Sequence, residues 1–415
     1  MILQSIDHGR LFFTPLDREF ESWYTLPKYN TTTLLLRIVS HPCAPGFAML
    51  MGIGLVYFVR SRKALGWSDG RILYHSFVRG SILVAINIWQ TWRRDISSGD
   101  ETHGLFRLTV LHALGINYIC STAVLLWSLH LYMYLVRRLG RYDTSDTKIA
   151  NQANVIQVSI ILSLAFVFMV FNLLVVPLPV PEGIVPGYGW WRYLMYLPGT
   201  SQFFFSMYPS LTWLGMTIYG CALGLIMIKW KRSNSGYAKW NMVLSGGWVM
   251  LFPLVRAVGG FGNINPSLVG TDTSKSYPFL SSWNAFFNTI KYPPDLAFSS
   301  LFLAINHMYL SVFFLLPTEV NTTKFYMASL LDGPLMDFGR SALFFYVTHF
   351  LVFSNSADAL GYFFPNLKNP NDHLDLNLWQ FLLVWLALLC LLWWMCRLYA
   401  RFKERQQPDS IFRFF

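Results

Sequence analysis

Apolar residues in this chain come in long unbroken runs rather than in an alternating or heptad rhythm. From Pro42 to Val59, "PCAPGFAMLMGIGLVYFV", no residue is charged. Such a run makes about 27 Å of helix, enough to cross a hydrocarbon core of roughly 30 Å with some adjustment at its ends. Comparable runs occupy 78–92, 107–136, 154–178, 207–228, 240–258, 295–316, 338–354 and 375–396. A backbone inside lipid must satisfy its own hydrogen bonds, so each run predicts a helix. The run 78–92 is short, whereas 107–136 is long enough to tilt or to extend out of the membrane. The opening "MILQSIDHGRLFFTPL" reads as the end of one further helix whose beginning is absent. A secretory leader does not fit it, because a basic start and a long apolar middle are missing. The fold class expected is all-α, a polytopic membrane bundle of about ten helices. No repeat or low-complexity stretch divides the chain. Residues 1–403 therefore read as a single transmembrane domain, and 404–415 as a short basic tail.

Composition agrees with this pattern. The chain is 54% hydrophobic and only 13% charged, against about 25% charged for soluble domains. A soluble fold would have to bury all these runs at once. The net charge of +11 has a direction along the chain. Of the 32 Lys and Arg, 20 fall with the loop after 59, the loops 137–153, 229–239 and 317–337, and the C-terminal tail. That set counts Arg71 and Arg79 as loop residues, and Arg340 at a span end. The excess makes this side cytoplasmic, with the C-terminus in the cytosol. The charge is then a collar for the membrane face, and no nucleic-acid partner is needed to explain it. The opposite side receives 14–41, 93–104, 179–206, 259–293 and 355–374, with the sequon at Asn30; Asn321 lies on the cytoplasmic side and should stay bare. The aromatic loop "GYGWWRYLMYLPGTSQFFFSMYP" suits an interfacial anchor or lid. The cysteines at 43, 120, 221, 390 and 396 form no CxxC pair and support neither a disulfide frame nor a metal site.

Ionisable groups at membrane depth are costly, and they mark pairs or polar cavities. Two clusters fall near span ends on the non-cytoplasmic side: Asp7, His8 and Arg10, then Arg37 with His41. Asp7 and Arg10 stand three residues apart and can pair on one helix face. Interfacial anchoring explains the arginines equally well, but an anchor does not need acid beside base. A histidine near neutral pKa with an acid to fix its tautomer is what acyl transfer to an amine or hydroxyl requires. No G-x-S-x-G is present. Cys43 has a basic neighbour only in His41 two residues away, and a lone cysteine at a helix start more often serves small packing.

These residues carry a resemblance. "HPCAPGFAMLMGIGLVYFVRSRKALGWSDGRILYHSFVRG" is similar to an early segment of the heparan-α-glucosaminide N-acetyltransferase catalytic-domain family, in which a histidine before Cys-Ala-Pro opens a helix. "QSIDHGRLFF" resembles that family's Asp-His-x-Arg. "YPSLTWLGMTIYGCALG" (208–224), "NTIKYPPDLAF" (288–298), "GRSALFFYVTHF" (339–350) and "CRLYARFK" (396–403) resemble later landmarks in the same order. The resemblance spans nearly the whole chain. It implies ten or eleven membrane helices and transfer of an acetyl group from cytosolic acetyl-CoA to an acceptor on the far side. The family's catalytic histidine carries over to His41 and its polar partner to Asp7. His8, Arg10, Arg37, Lys291, Tyr292, Arg340 and His349 become candidates for contacting substrate or CoA. Acetyl-CoA is expected as co-substrate, with no metal. The expected partners are the lipid bilayer and a carbohydrate-like acceptor, with a homodimer left open.

The chain also departs from the family pattern. No Arg-Gly stretch precedes "IDHGR", Asp295 stands where serine is commoner, and His307 replaces a small residue and reads as structural. Pro294 suits a first helical turn, so Asp295 should cap that helix. Lys291-Tyr292 before two prolines reads as a rigid, exposed device. His112 and His130 read as packing residues sharing a face. His75, His103 and His373 read as loop or interfacial residues without partners. Arg340 could meet CoA phosphates together with Arg60, Arg62 or Arg79, or snorkel to lipid phosphate. Two alternatives stay open: a proton-coupled transporter, and a catalytically inactive family member.

Overall fold

The computed structural model describes residues 1–14, 31–98, 106–140, 146–175, 189–201, 203–263, 276–316, 333–368 and 374–407. Asn30, Asn321, His103 and His373 lie outside them. In chain order the helices are α1 (Ile2–Phe13), α2 (Thr31–Ser40), α3 (Cys43–Ala64), α4 (Asp69–Ser98), α5 (Val110–Leu139) and α6 (Asp146–Val175). They continue with α7 (Trp190–Met195), α8 (Ser210–Lys229), α9 (Asn234–Val258), α10 (Trp283–Phe287) and α11 (Leu296–Leu315). The last are α12 (Pro334–Arg340), α13 (Ala342–Phe363) and α14 (Leu378–Glu404). The described residues are mostly helical. Among the described residues, the strands β1 (Phe106–Leu108), β2 (Gly199–Thr200) and β3 (Phe204–Ser206) form one small sheet in the order β1-β3-β2. β1 and β3 are parallel, with Leu108 opposite Ser206. The aromatic loop expected as an anchor contributes α7, β2 and β3.

Among the described residues, eight helical segments are long and apolar enough to cross a membrane: Arg37–Ala64, Asp69–Thr91, Val110–Leu139, Asp146–Val175, Ser210–Lys229, Asn234–Val258, Leu296–Leu315 and Leu378–Glu404. They correspond to eight of the nine apolar runs. The ninth, 338–354, is divided at Ser341 between α12 and α13, and α13 is made more polar by His349, Asn355 and Asp358. The run 78–92 is not short. Ser68 caps α4 by accepting from the Arg71 amide at 3.3 Å, and the helix runs from Asp69. Arg71 and Arg79 are therefore helical residues, not loop residues. Their charge hid the first turns of α4 from a hydropathy reading.

The chain divides into two compact units. Unit 1 comprises residues 1–20, 29–43 and 312–415, and unit 2 comprises 21–28 and 44–311. In unit 2, α8 is the central element, with 78% of its apolar window buried. It lies against α5 and α6, and it approaches α3 at two glycines. A β-carbon on Gly52 would strike the Thr217 carbonyl, and one on Gly220 the Met49 carbonyl. Lipid tails are as apolar as the side chains, so small residues that let backbones meet supply the association that hydrophobicity cannot. α4 and α5 use the same device, with each of Gly80 and Gly115 set against the other's carbonyl. As expected, Asp295 caps α11, its Oδ1 accepting from the Phe298 amide at 2.6 Å.

Unit 1 is held by an aromatic core. Phe13 of α1, Phe338 of α12, Phe345 and Phe353 of α13, and Phe381 and Leu392 of α14 are all buried together. α14 starts at a reciprocal cap, the Asn377 side chain accepting from the Gln380 amide while Gln380 accepts from the Asn377 amide. Gly9 leaves room on α1 for the Phe381 ring, which a β-carbon would approach to 3.1 Å. The Trp385 indole donates to Ser5 Oγ at 3.0 Å, fixing α14 against α1.

Candidate functional site

Unit 1 holds seven of the nine candidate residues: Asp7, His8, Arg10, Arg37, His41, Arg340 and His349. Lys291 and Tyr292 belong to unit 2.

α1 sorts its polar residues by helical spacing. Asp7 and Arg10, three apart, form the expected pair, with Nη2 to Oδ1 at 2.7 Å. Arg10 is buried and Asp7 half-buried. His8 lies about 100° around the helix, against α13. Its Nδ1 is 2.7 Å from Nε2 of His349, and its ring packs on Phe350 with centroids 4.4 Å apart. His349 is fully buried. Its Nδ1 lies 2.9 Å from the Phe345 carbonyl, one turn back on α13. A carbonyl only accepts, so His349 Nδ1 carries the proton and Nε2 accepts. His8 Nδ1 then donates to it. With neutral rings this order leaves His8 Nε2 as an acceptor. The donor sequence therefore runs from His8 through His349 to the Phe345 carbonyl.

His41 sits in the turn between α2 and α3, just before the α3 start at Cys43, as Pro42 led one to expect. It is 3% exposed and Arg37 is 4% exposed. The Arg37 carbonyl accepts from the His41 amide at 2.9 Å, from Ser40 Oγ at 3.2 Å, and from His41 Nδ1 in a short contact. The same reasoning as for His349 puts the proton on Nδ1 and the lone pair on Nε2. The group that orients the His41 ring is thus the Arg37 carbonyl, while the Asp7 carboxylate is held by Arg10. A buried imidazole with its Nε2 lone pair set by a backbone carbonyl is prepared to take a proton.

Arg340 ends α12 at the surface. Its Nη1 lies 4.0 Å from Glu404 Oε1, and its carbonyl accepts from Lys403 Nζ at 3.3 Å.

In unit 2, Tyr292 is 9% exposed. The exposed device expected at Lys291-Tyr292 is therefore corrected: the tyrosine is buried, because Tyr208 takes its hydroxyl at 3.1 Å and packs edge-on at 5.0 Å. Lys291 Nζ lies 5.1 Å from the Tyr292 ring and 6.0 Å from the Tyr208 ring. Tyr208 was not foreseen, although "YPSLTW" placed it at the start of α8.

Two other histidines also differ from expectation. His130 is not a packing residue but an exposed partner of Asp69, with Nε2 to Oδ2 at 2.8 Å. His75 is neither in a loop nor alone; it lies within α4 and stacks on Phe58 at 5.0 Å. His307 is structural, as expected, and belongs to a buried chain that sequence reasoning did not find. Trp248 Nε1 donates to Tyr219 Oη at 3.1 Å, Tyr219 Oη lies 2.8 Å from His307 Nε2, and His307 Nδ1 lies 2.8 Å from Asn241 Oδ1. Asn241 Nδ2 donates to the Tyr237 carbonyl at 2.9 Å.

No family model matches the chain, and no curated protein matches it.

Proposed function

We propose that this protein is a multi-pass membrane acyltransferase of about ten spans. In this reading it moves an acetyl group from cytosolic acetyl-CoA to an amino or hydroxyl acceptor, sugar-like in character, on the non-cytoplasmic side. It resembles the heparan-α-glucosaminide N-acetyltransferase catalytic-domain family in the six motifs quoted above. The observation that carries the reading is the buried His41, whose proton is held on Nδ1 by the Arg37 carbonyl.

His41 Nε2 takes the proton from the acceptor as its nitrogen or oxygen attacks the thioester carbonyl. The new C–N or C–O bond forms, the C–S bond breaks, and the proton passes to the departing thiolate. The His8–His349 chain is the second proton-accepting element of the same unit and supports the reading independently. The excess of Lys and Arg on one side of the chain supports a cytosolic C-terminus.

A buried histidine pair equally suits a proton-coupled permease. One experiment separates the two readings. Purified protein is incubated with labelled acetyl-CoA and a panel of amino sugars, polysaccharides and lipid head groups. Label transferred by the wild type and lost in His41→Ala is the expected result. No transfer to any acceptor, with proton uptake into sealed vesicles on adding a solute, would replace it with the permease.

A further inference from the structure

α4 carries Arg71, His75 and Arg79 at four-residue intervals, which places all three along one stripe of the helix. Arg79 is ten residues beyond Asp69, about 15 Å along a span of about 34 Å, so it lies near the middle of the candidate crossing Asp69–Thr91. A cation at that depth marks a ligand or ion path. Each member of the stripe has an aromatic support. Arg71 lies 4.0 Å from the Trp67 ring centre, and His75 stacks on Phe58 at 5.0 Å. Arg79 lies 5.0 Å from the Tyr118 ring, with Nη1 3.4 Å from its hydroxyl. Arg62 of α3 lies 4.7 Å from the same Trp67. Two guanidinium groups drawn to one indole repel each other, and an anion between them relieves that repulsion. Asp69, two residues before Arg71, points to roughly the opposite face of α4. Its carboxylate is engaged by Lys63 at 2.5 Å and His130 at 2.8 Å.

We propose that this face of α3 and α4 binds an elongated phosphorylated ligand. Its phosphates lie between Arg62 and Arg71 beside Trp67, and its polar arm descends past His75 to Arg79. Resting on the acyl-transfer reading, the ligand is the acyl-CoA donor, whose phosphates sit at one end of a long amide-bearing arm ending in the thioester. Planar forks match phosphate oxygens in pairs, which explains arginine rather than lysine at these positions. A phospholipid carries the same chemistry of phosphate head and long tail, so the test must tell the two apart.

The full chain is reconstituted in nanodiscs of zwitterionic lipid, and acetyl-CoA binding is measured by calorimetry for the wild type, R71Q, R79Q and R397Q. Arg397 lies on α14 of unit 1 and serves as the control. We expect R71Q and R79Q each to weaken binding about tenfold or more, the scale of a lost charge-assisted contact, and R397Q to leave it unchanged. Wild-type binding that survives both substitutions would overturn the stripe and leave acyl transfer standing. A wild type that binds no acetyl-CoA but retains phosphatidylglycerol in native mass spectrometry, and loses it in R71Q and R79Q, would overturn the donor assignment in favour of lipid. Binding of neither would overturn the site altogether. Should R79Q fail to fold by size exclusion, R71Q and the charge-retaining R79K decide the outcome. R71Q changes an exposed residue in the first turn of α4, and R79K removes the fork without removing the charge.

Discussion

Two buried histidines, one in each unit, use both ring nitrogens in the same way but face different partners at Nε2. His307 in unit 2 stands in the middle of a closed chain. The Asn241 amide donates to the Tyr237 carbonyl, so its oxygen faces His307 and accepts. His307 then donates from Nδ1 and accepts at Nε2 from Tyr219, which in turn accepts from Trp248. Each link of this chain pairs one donor with one acceptor. His349 in unit 1 also donates to a carbonyl, but the group at its Nε2 is a second imidazole. The donor at that nitrogen, His8, carries a second basic ring nitrogen of its own. A chain of hydroxyl and amide groups around one imidazole rigidifies a core, whereas two imidazoles in contact can pass a proton on. Both histidines are buried, and the chemistry of the partner at Nε2 separates them.

The largest effect should come from the histidine that this comparison places with the proton-accepting set. His41→Ala should lower acetyl transfer by about 10²–10⁴-fold, the range of a lost acid–base group, while thermal stability and acetyl-CoA binding persist. A loss of transfer that merely tracks a loss of folded protein would move His41 to the structural set.

The closed chain should answer in stability instead. His307→Phe keeps a ring of similar size but leaves the Tyr219 hydroxyl and the Asn241 oxygen without their partner. At about 1–3 kcal/mol for each of these two orphaned buried groups, the cost is roughly 2–6 kcal/mol. Thermal denaturation in detergent should show it, with the rate per folded molecule unchanged. The same substitution at His349 should do the reverse. His349→Phe should lower turnover about tenfold with a smaller shift in melting temperature, because His8 is only half-buried and water can replace the lost acceptor. If both variants lose stability and neither loses rate per folded molecule, the two chains are the same kind of thing.

Much of this architecture was legible in the sequence because lipid imposes a length and polarity rule that unbroken apolar runs obey. Eight of nine runs became candidate spans for that reason. The misreadings occurred where polar residues lie inside helices. Arg71, His75 and Arg79 broke the hydropathy of α4, yet their spacing keeps them on one face and leaves the rest of the helix apolar. Of the site, the Asp7–Arg10 pair and the position of His41 before a helix start followed from local spacing and from proline. The His8–His349 contact did not, because it joins residues 341 positions apart and nothing in a single chain announces such a pairing. The Arg37 carbonyl that orients His41 was equally hidden, since a backbone acceptor leaves no mark in composition.

The smallest effect concerns Asp7, and it sharpens the boundary of the proton-accepting set. Arg10 and Asp7 form an i,i+3 pair whose side chains are 11% and 25% exposed. Such a pair is worth less than its Coulomb attraction suggests, because water screens the exposed partner and desolvation offsets the rest. Asp7→Asn keeps an oxygen that can accept from Arg10, so stability should fall by no more than about 1 kcal/mol. The effect on rate distinguishes two roles. If Asp7 steadies the imidazolium of His41, Asp7→Asn should lower transfer and move the ascending limb of the pH–rate profile to lower pH. If Asp7 serves only Arg10, the profile stays in place and the double variant with His41→Ala costs the sum of the two single changes. Non-additive loss with a moved profile would join Asp7 to His41 as one unit. Additive loss with a fixed profile would leave the Arg37 carbonyl as the group that prepares the base.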